Sequence, residues 1–366
     1  MTSTSRRSLI LAALLFSSTA LTAEPPGRKH EMVKLADGVY ALMWKEPMDS
    51  PEPNVLIIIN DSDVVVVDAE ELPSSARTVV REIKKLTSKP VSVVINTHWH
   101  DDHVFGNYIF KETWPGVHFA AHEYTRVDAE RRAFGEIPNS VKKNGEQLEQ
   151  FKEIARTGKR PDGTPASAAG LKRVREYVIP ELEIYVKEIP TVKMVLPDLT
   201  FTDSLTLYRG SRTIELHYLG LGNTRGDVVV YLPKEKILAT GDLVVWPTPF
   251  GIGSFYSDWA ETLDRLSKID ATTIFLGHGV IQRDESYVLS LRDMLKDMVS
   301  RVGEAVAQGK TVEECQQVVT MDDWKQKLAG DDKLKQGAFD AFFVQPGVAR
   351  AYHQAKGEAD PDGDGG

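Results

Sequence analysis

The stretch "VSVVINTHWHDDH", residues 91–103, places three histidines and two aspartates directly after an apolar run that has the pattern of a buried strand. Because side chains repeat every two residues in extended backbone, His98 and His100 can point the same way. Past a bend in the backbone, the side chains of Asp102 and His103 can face a second position, close to the one that His98 and His100 face. Burying so many of these groups without a cation would be costly, so the stretch predicts a metal site at a strand end.

Composition limits the class of protein and the kind of metal site. With 366 residues, 42% of them hydrophobic, the chain can bury a large core in one large domain or two smaller ones. The net charge of -9 gives no sign of a nucleic-acid partner. The single cysteine, Cys315, excludes an internal disulfide framework and a cysteine-rich metal site. Any metal ligands must therefore be nitrogen and oxygen atoms.

The N-terminal segment has the features of a secretory signal. Residues 1–23 combine a basic pair, an apolar stretch and small residues before Glu24, and "SRRSLI" also resembles a twin-arginine signal. We therefore expect export to the periplasm or secretion, with the mature chain starting near Glu24. No other segment has the pattern of a membrane span, so we expect no stable membrane insertion after cleavage.

The rest of the chain alternates strand and helix patterns in two similar halves. Strand patterns such as "NVLIIIN" and "VVVVDAE" precede a charged helical segment, and "TIELHYLG", "DVVVYLP" and "TTIFLGHG" follow it. These patterns predict an α/β domain, a helical C-terminal part and a disordered tail. The expected boundaries are 32–283 for the domain, about 126–187 for its helical insertion, 284–357 for the C-terminal extension and 358–366 for the tail.

Two further candidate ligands follow apolar strands in the second half. Asp242 stands in "ATGDLVV" and His278 in "IFLGHG", and a glycine before each lets backbone approach closely. With the first cluster, they make the chain resemble metallo-β-lactamase-fold hydrolases, a superfamily that includes β-lactamases, glyoxalase-II-type thioesterases and lactonases. The H-x-H-x-D-H signature of that family stands here at residues 98–103. The resemblance spans about Gly38 to Gly279 and implies a four-layer αβ/βα sandwich with Asp242 as bridging carboxylate and His278 as last histidine.

One position departs from the family pattern. Where the family usually has a third histidine for the first metal, "GLGNTRGD" has Asn223, which either offers its carboxamide oxygen to a cation or only caps a turn. The second ligand set, Asp102, His103, His278 and Asp242, is complete. We therefore expect one tightly bound Zn²⁺ and a second, weaker one.

The expected function is that of an exported zinc-dependent hydrolase acting on a small molecule. A metal-activated hydroxide would attack the carbonyl of an ester, lactone or amide, with a β-lactam among the options. Asp102 or Asp242 would orient the nucleophile and relay the proton, and Tyr256 is a candidate oxyanion donor whose alternative is aromatic packing at a helix start. The alternatives are a glyoxalase-II-type thioesterase and a non-catalytic exported metal-binding protein, while the oligomeric state stays open.

Aromatic residues near the candidate ligands predict an apolar or cyclic substrate. The pocket candidates are Trp99, Trp246, Phe250 and Phe255. Some of these side chains must instead belong to the core.

Overall fold

The computed structural model describes residues 29–44 and 52–358. The predicted signal segment and, apart from Glu358, the predicted tail lie outside the described residues. None of the described helices is long and apolar enough to cross a membrane.

The described residues form twelve strands and, between them, α-helices and shorter helical turns. The strands are β1 (His30–Ala36), β2 (Val39–Trp44), β3 (Val55–Ile59), β4 (Val64–Val67), β5 (Val91–Ile95), β6 (His118–His122), β7 (Leu199–Phe201), β8 (Ser204–Arg209), β9 (Arg212–Tyr218), β10 (Val228–Leu232), β11 (Ile237–Ala239) and β12 (Thr273–Phe275). The α-helices are α1 (Pro73–Leu86), α2 (Asp101–Val104), α3 (Asn107–Thr113), α4 (Glu123–Asp128), α5 (Ile137–Thr157), α6 (Ala168–Arg173), α7 (Ile179–Glu188), α8 (Tyr256–Leu266), α9 (Ser286–Ala307), α10 (Val312–Val318), α11 (Asp322–Ala329), α12 (Lys333–Phe339) and α13 (Gln345–Lys356). Wide π-helical turns occur at Ala129–Phe134, Val174–Val178 and Asp340–Val344, and short 3₁₀ turns at Ile189–Thr191 and Gly241–Leu243.

The strands form two mixed sheets whose order follows the chain. Strands β1 to β7 lie side by side in sequence order, antiparallel up to β4 and parallel from β4 to β7. The second sheet has the order β12-β11-β10-β9-β8, with only the β11–β12 pair parallel. In each sheet, therefore, one pair of parallel strands ends together: β4 with β5 in the first sheet and β11 with β12 in the second.

Three apolar clusters stack the sheets and helices into four layers. Inward residues of both sheets, such as Val93 and Val230, share the central cluster. The outer face of the first sheet packs on α1 and α3, and that of the second packs on α8, α9 and α13. Because β-branched residues fill both faces of the central strands, each sheet needs a helical cover. The predicted αβ/βα sandwich is confirmed.

The insertion and the C-terminal extension are helical, as the sequence predicts. Helices α4 to α7 fall in the segment expected at about 126–187, and Leu148, Phe151 and Leu182 belong to a small apolar core of its own. Helices α9 to α13 form the C-terminal extension, whose buried side chains join the core of the second sheet. Strand β1, at the edge of the first sheet, was not predicted from the sequence, because its polar, half-exposed residues lack an apolar run.

Candidate metal centre

The predicted ligands come together because two pairs of parallel strands end at the same edge. Val67 of β4 is level with Ile95 of β5, and Ala239 of β11 is level with Phe275 of β12. The loops that follow the two strands of each pair therefore begin next to one another. His98, His100, Asp102, His103, Asp242 and His278 accordingly form two adjacent groups with ligand atoms in each within 4.8 Å of one another, and all but His278 are buried.

The second group has the dimensions of a tetrahedral ion site. Nε2 of His103 lies 3.3 Å from Asp102 Oδ2 and 3.4 Å from Asp242 Oδ1. Nε2 of His278 lies 3.0 Å and 3.5 Å from the same two oxygens. Ligands at about 2.0–2.1 Å from a tetrahedral ion are about 3.3 Å apart, so these four distances fit a zinc-sized cation.

The first group contains His98, His100 and the other oxygen of Asp242. His98 Nε2 lies 2.8 Å from His100 Nδ1 and 3.8 Å from Asp242 Oδ2. The carboxylate of Asp242 therefore presents Oδ1 to one group and Oδ2 to the other. This is the arrangement that a bridging ligand requires, and it agrees with the role that the family resemblance implies.

Asp68 and Thr97 contact Nδ1 of His103 and of His98, respectively. The sequence analysis did not identify either residue. Asp68 Oδ1 accepts a hydrogen bond of 2.8 Å from the Thr97 backbone N–H, and its Oδ2 lies 2.9 Å from His103 Nδ1. The Thr97 hydroxyl lies 3.0 Å from His98 Nδ1. Because the Thr97 hydroxyl also donates to Asp68, it accepts from His98 Nδ1 and fixes the tautomer of that imidazole, while Asp68 places a carboxylate beside Nδ1 of His103. The sequence signal that could have identified Asp68 is its position directly after the apolar run of β4.

The pKa values of buried groups show that this edge carries excess negative charge. Burial lowers the pKa of His103, but the charges of Asp102, Asp68 and Asp242 outweigh it and raise that pKa well above 6.5. Burial raises the pKa of Asp227 to about 8, against hydrogen bonds from Thr224 that lower it, and the charge of Asp242 adds to the rise. A bound cation would relieve this repulsion, so the donor set fits a divalent metal.

Glycines allow the two ligand-bearing turns to meet, as the sequence predicted. A Cβ on Gly277 would lie 2.2 Å from Asp242 Oδ1, and one on Gly241 would lie 2.5 Å from Thr97 Oγ1. Buried Asn54 also holds the turn around His278, since its side-chain amide donates to the carbonyls of Leu276 and Gly279 at 3.1 and 3.0 Å.

Asn223, which the family resemblance places where a third histidine usually stands, is buried and has a defined orientation. Its side-chain nitrogen donates to the carbonyl of Phe250 and, at 3.2 Å, to Ser254 Oγ. Its Oδ1 has no hydrogen-bond partner among the described residues. Unsatisfied buried oxygens are costly, so the position suits a cation ligand better than a simple turn cap.

Three of the four pocket candidates are partly exposed, and two of them, Trp99 and Phe250, have their rings beside His100. The rings of Trp99 and Phe250 lie 4.6 and 5.8 Å from that of His100, centroid to centroid. Trp246 donates its backbone N–H to the His278 carbonyl. Phe255 differs from the prediction: it is 7% exposed and its ring lies under the Arg350 guanidinium, so it belongs to the packing of the C-terminal extension.

The expectation that Tyr256 borders the cleft as an oxyanion donor is wrong. Its side chain is fully buried at the start of α8, and its hydroxyl donates to the Phe343 carbonyl at 2.8 Å. Burial holds its pKa well above 10. The alternative expectation, aromatic packing at a helix start, describes this residue, because the C-terminal extension covers it.

Tyr256→Phe separates these two roles. Losing the hydroxyl leaves the buried Phe343 carbonyl without its donor, which should cost about 1–3 kcal/mol of unfolding free energy. Loss of an oxyanion donor would instead reduce kcat by about 10²–10³-fold. We expect denaturant unfolding to show the stability loss, with kcat for any accepted substrate changed by less than about twofold. A loss of kcat on the larger scale would restore the catalytic role.

Taken together, the fold and the paired ligand groups define a four-layer α/β protein with a candidate dinuclear metal centre at one sheet edge. The sequence model of the metallo-β-lactamase superfamily matches residues 51–278. The chain belongs to that superfamily.

Curated relatives include two kinds of hydrolase. A metallo-β-lactamase type 2 of Bacteroides fragilis is 32% identical over 90 residues, which cover 23% of this chain and 36% of the relative. A linear primary-alkylsulfatase of Pseudomonas sp. is 22% identical over 249 residues, which cover 65% of this chain and 44% of the relative. The chain thus matches less than half the length of each.

Solved structures show the same fold. A metallo-β-lactamase from Pontibacter korlensis matches with a TM-score of 0.50 at 21% identity, over 72% of this chain and 99% of its own. The stereoselective inverting sec-alkylsulfatase Pisa1 from Pseudomonas sp. matches with a TM-score of 0.60 at 16% identity, over 92% of this chain and 51% of its own.

Proposed function

We propose that this protein is an exported zinc-dependent hydrolase that cleaves an ester, lactone or amide, with β-lactams included. The observation that carries the proposal is the position of Asp242, whose two oxygens face two separate ligand groups. Bound divalent ions would supply Lewis acidity and activate water for attack on the scissile group. Zinc is favoured because the ligands are imidazole and carboxylate and the second group has tetrahedral spacing.

The chain's own residues would hold the ions and position the reactants. His98, His100 and one oxygen of Asp242 would hold one ion, and Asp102, His103, His278 and the other Asp242 oxygen would hold the second. Asp102 and Asp242 would also orient a water and accept its proton. Trp99, Trp246 and Phe250 would contact an apolar part of the substrate.

A sulfate ester is a second candidate substrate. The match to the linear primary-alkylsulfatase covers 65% of this chain, against 23% for the Bacteroides fragilis metallo-β-lactamase. Phe342 of the C-terminal extension stacks on Phe250 beside the candidate centre, with ring centroids 6.0 Å apart, so the extension contributes to the apolar surroundings. Both observations favour a substrate with an apolar chain. The hydrolysis screen described next identifies the bond that is cleaved.

A hydrolysis screen with metal analysis of the same sample tests the proposal. Zinc-loaded protein should hydrolyse at least one member of a panel of lactones, carboxylic esters, thioesters, β-lactams and alkyl sulfates, and chelation followed by zinc addition should remove and restore the activity. Preference for thioesters would favour the glyoxalase-II-type alternative. Tight zinc binding without turnover of any class would favour a non-catalytic metal-binding protein.

Export is part of the proposal and rests on residues 1–23 alone. The basic pair and apolar run favour cleavage close to Ala23. The intact mass of protein recovered from the periplasm or medium tests this, and a full-length cytoplasmic product would contradict it.

A further inference from the structure

We propose that Ser254 is a positioning residue that holds Asn223 Oδ1 as a neutral oxygen ligand for the ion at His98, His100 and Asp242. The inference rests on the proposed metal-dependent function and adds one ligand, its support and the class of ion that the site accepts. The sequence analysis did not identify Ser254.

Hydrogen-bond chemistry fixes the direction of the Asn223 carboxamide. The Phe250 carbonyl can only accept, so the side-chain nitrogen of Asn223 must face it. Ser254 Oγ donates to the backbone carbonyl of Asn223 at 3.1 Å and accepts from its side-chain nitrogen at 3.2 Å. These contacts occupy the nitrogen and leave Oδ1 pointing away from both partners.

The surroundings place Asn223 on the His100 side of the centre. The ring of Phe250, whose carbonyl binds Asn223, lies 5.8 Å from the His100 ring. The loop that contains Asn223 leads into β10. The first residue of β10, Val228, donates its backbone N–H to the carbonyl of Thr97, next to His98, at 2.9 Å. Asn223 and Ser254 are both at most 1% exposed. A buried oxygen without a hydrogen-bond partner here is a ready ligand for a cation.

The choice of an amide oxygen predicts which ions the first group accepts. With Asn223 it has two imidazole nitrogens and two oxygens, whereas Asn223→His would give it three nitrogens. Oxygen ligands suit Mn²⁺, and imidazole suits Zn²⁺. In protein holding one zinc, we expect the ratio of Zn²⁺ to Mn²⁺ affinity for the second ion to be lower in the parent than in Asn223→His.

The decisive experiment is a double-mutant cycle on metal-depleted full-length protein reloaded with one equivalent of Zn²⁺. Binding of a second ion is measured by Mn²⁺ electron paramagnetic resonance and by the visible absorption of Co²⁺. Ser254→Ala should weaken second-ion binding by about tenfold, the lower end of the effect of substituting a residue that supports a ligand. Asn223→Ala should weaken it at least as much, and adding Ser254→Ala to Asn223→Ala should cause no further loss.

Ser257→Ala is the matched control, because its hydroxyl contacts Gln354 instead of Asn223. It should leave second-ion binding and the Co²⁺ spectrum unchanged. Additive losses in the double variant, or parent-like binding by Ser254→Ala, would overturn the positioning role while the first zinc remained bound. A parent that binds no metal at all would instead contradict the proposed function. If Ser254→Ala fails to fold, the affinity ratio for Asn223→His decides: a ratio equal to the parent's would overturn the assignment.

Discussion

Asp242→Ala is expected to weaken metal binding strongly at both ligand groups and, with it, to remove the proposed hydrolytic activity. The side chain presents one oxygen to His98 and the other to His103 and His278, so a single substitution removes a ligand from each group. Because substitutions that only support a ligand already cost about 10–100-fold in metal affinity, we expect a loss of about 100-fold or more for each ion. Zinc titration and turnover of any accepted substrate measure both effects.

Folding must be checked separately for this variant. In the metal-depleted chain Asp242 attracts protonated His103 but repels Asp227, so the electrostatic effects of removing it oppose each other and denaturant unfolding must be measured beside zinc binding. Asp203→Ala, at an exposed position before β8, is the control and should bind zinc like the parent. If Asp242→Ala keeps one tightly bound zinc, Asp242 does not serve both groups.

Asp68→Asn is expected to weaken zinc binding at the second group by up to about 100-fold. Asparagine is isosteric and, like aspartate, tolerates the positive φ of 66° at this position, so the backbone should be retained. One amide oxygen can still accept from the Thr97 backbone N–H, but the charge facing His103 Nδ1 at 2.9 Å is lost. The imidazole then becomes less basic and less firmly oriented as a ligand.

Asp63→Asn offers a matched control for Asp68→Asn. Asp63 is also a buried aspartate of the first sheet, but it contacts Ser92 and Asn60 instead of the ligand histidines. We expect it to alter unfolding while leaving zinc affinity unchanged in isothermal titration calorimetry. Equal zinc affinities for Asp68→Asn and the parent would show that Asp68 supports the fold alone.

The sequence predicted which side chains meet at this edge because these residues follow strands. Alternating side chains after β5 gave His98 and His100 a common direction, and the glycines before Asp242 and His278 indicated close backbone approach. Such features are local, so a sequence reveals them without knowledge of the packing. For the same reason, the strand and helix patterns predicted an α/β domain in two similar halves, whereas the four-layer arrangement was implied by the family resemblance.

What the sequence could not supply was long-range packing. Tyr256 stands 14 residues after Asp242, which suggested a place beside the cleft, but a contact with Phe343 turns it into the core. Phe255 is buried under Arg350 in the same way. Asp68 was in principle predictable, since parallel β4 and β5 end together and bring it beside Thr97, but that needs the strand pairing as well as the strands.

Anomalous diffraction at the zinc edge, from crystals of zinc-loaded protein, tests the central claim most directly. We predict two peaks, one within bonding distance of His98, His100 and Asp242 and one within bonding distance of Asp102, His103, His278 and Asp242. We also predict lower occupancy for the first peak at limiting zinc. A single peak that Asp242 does not contact, or zinc bound only elsewhere, would contradict the account of a centre built around this shared carboxylate.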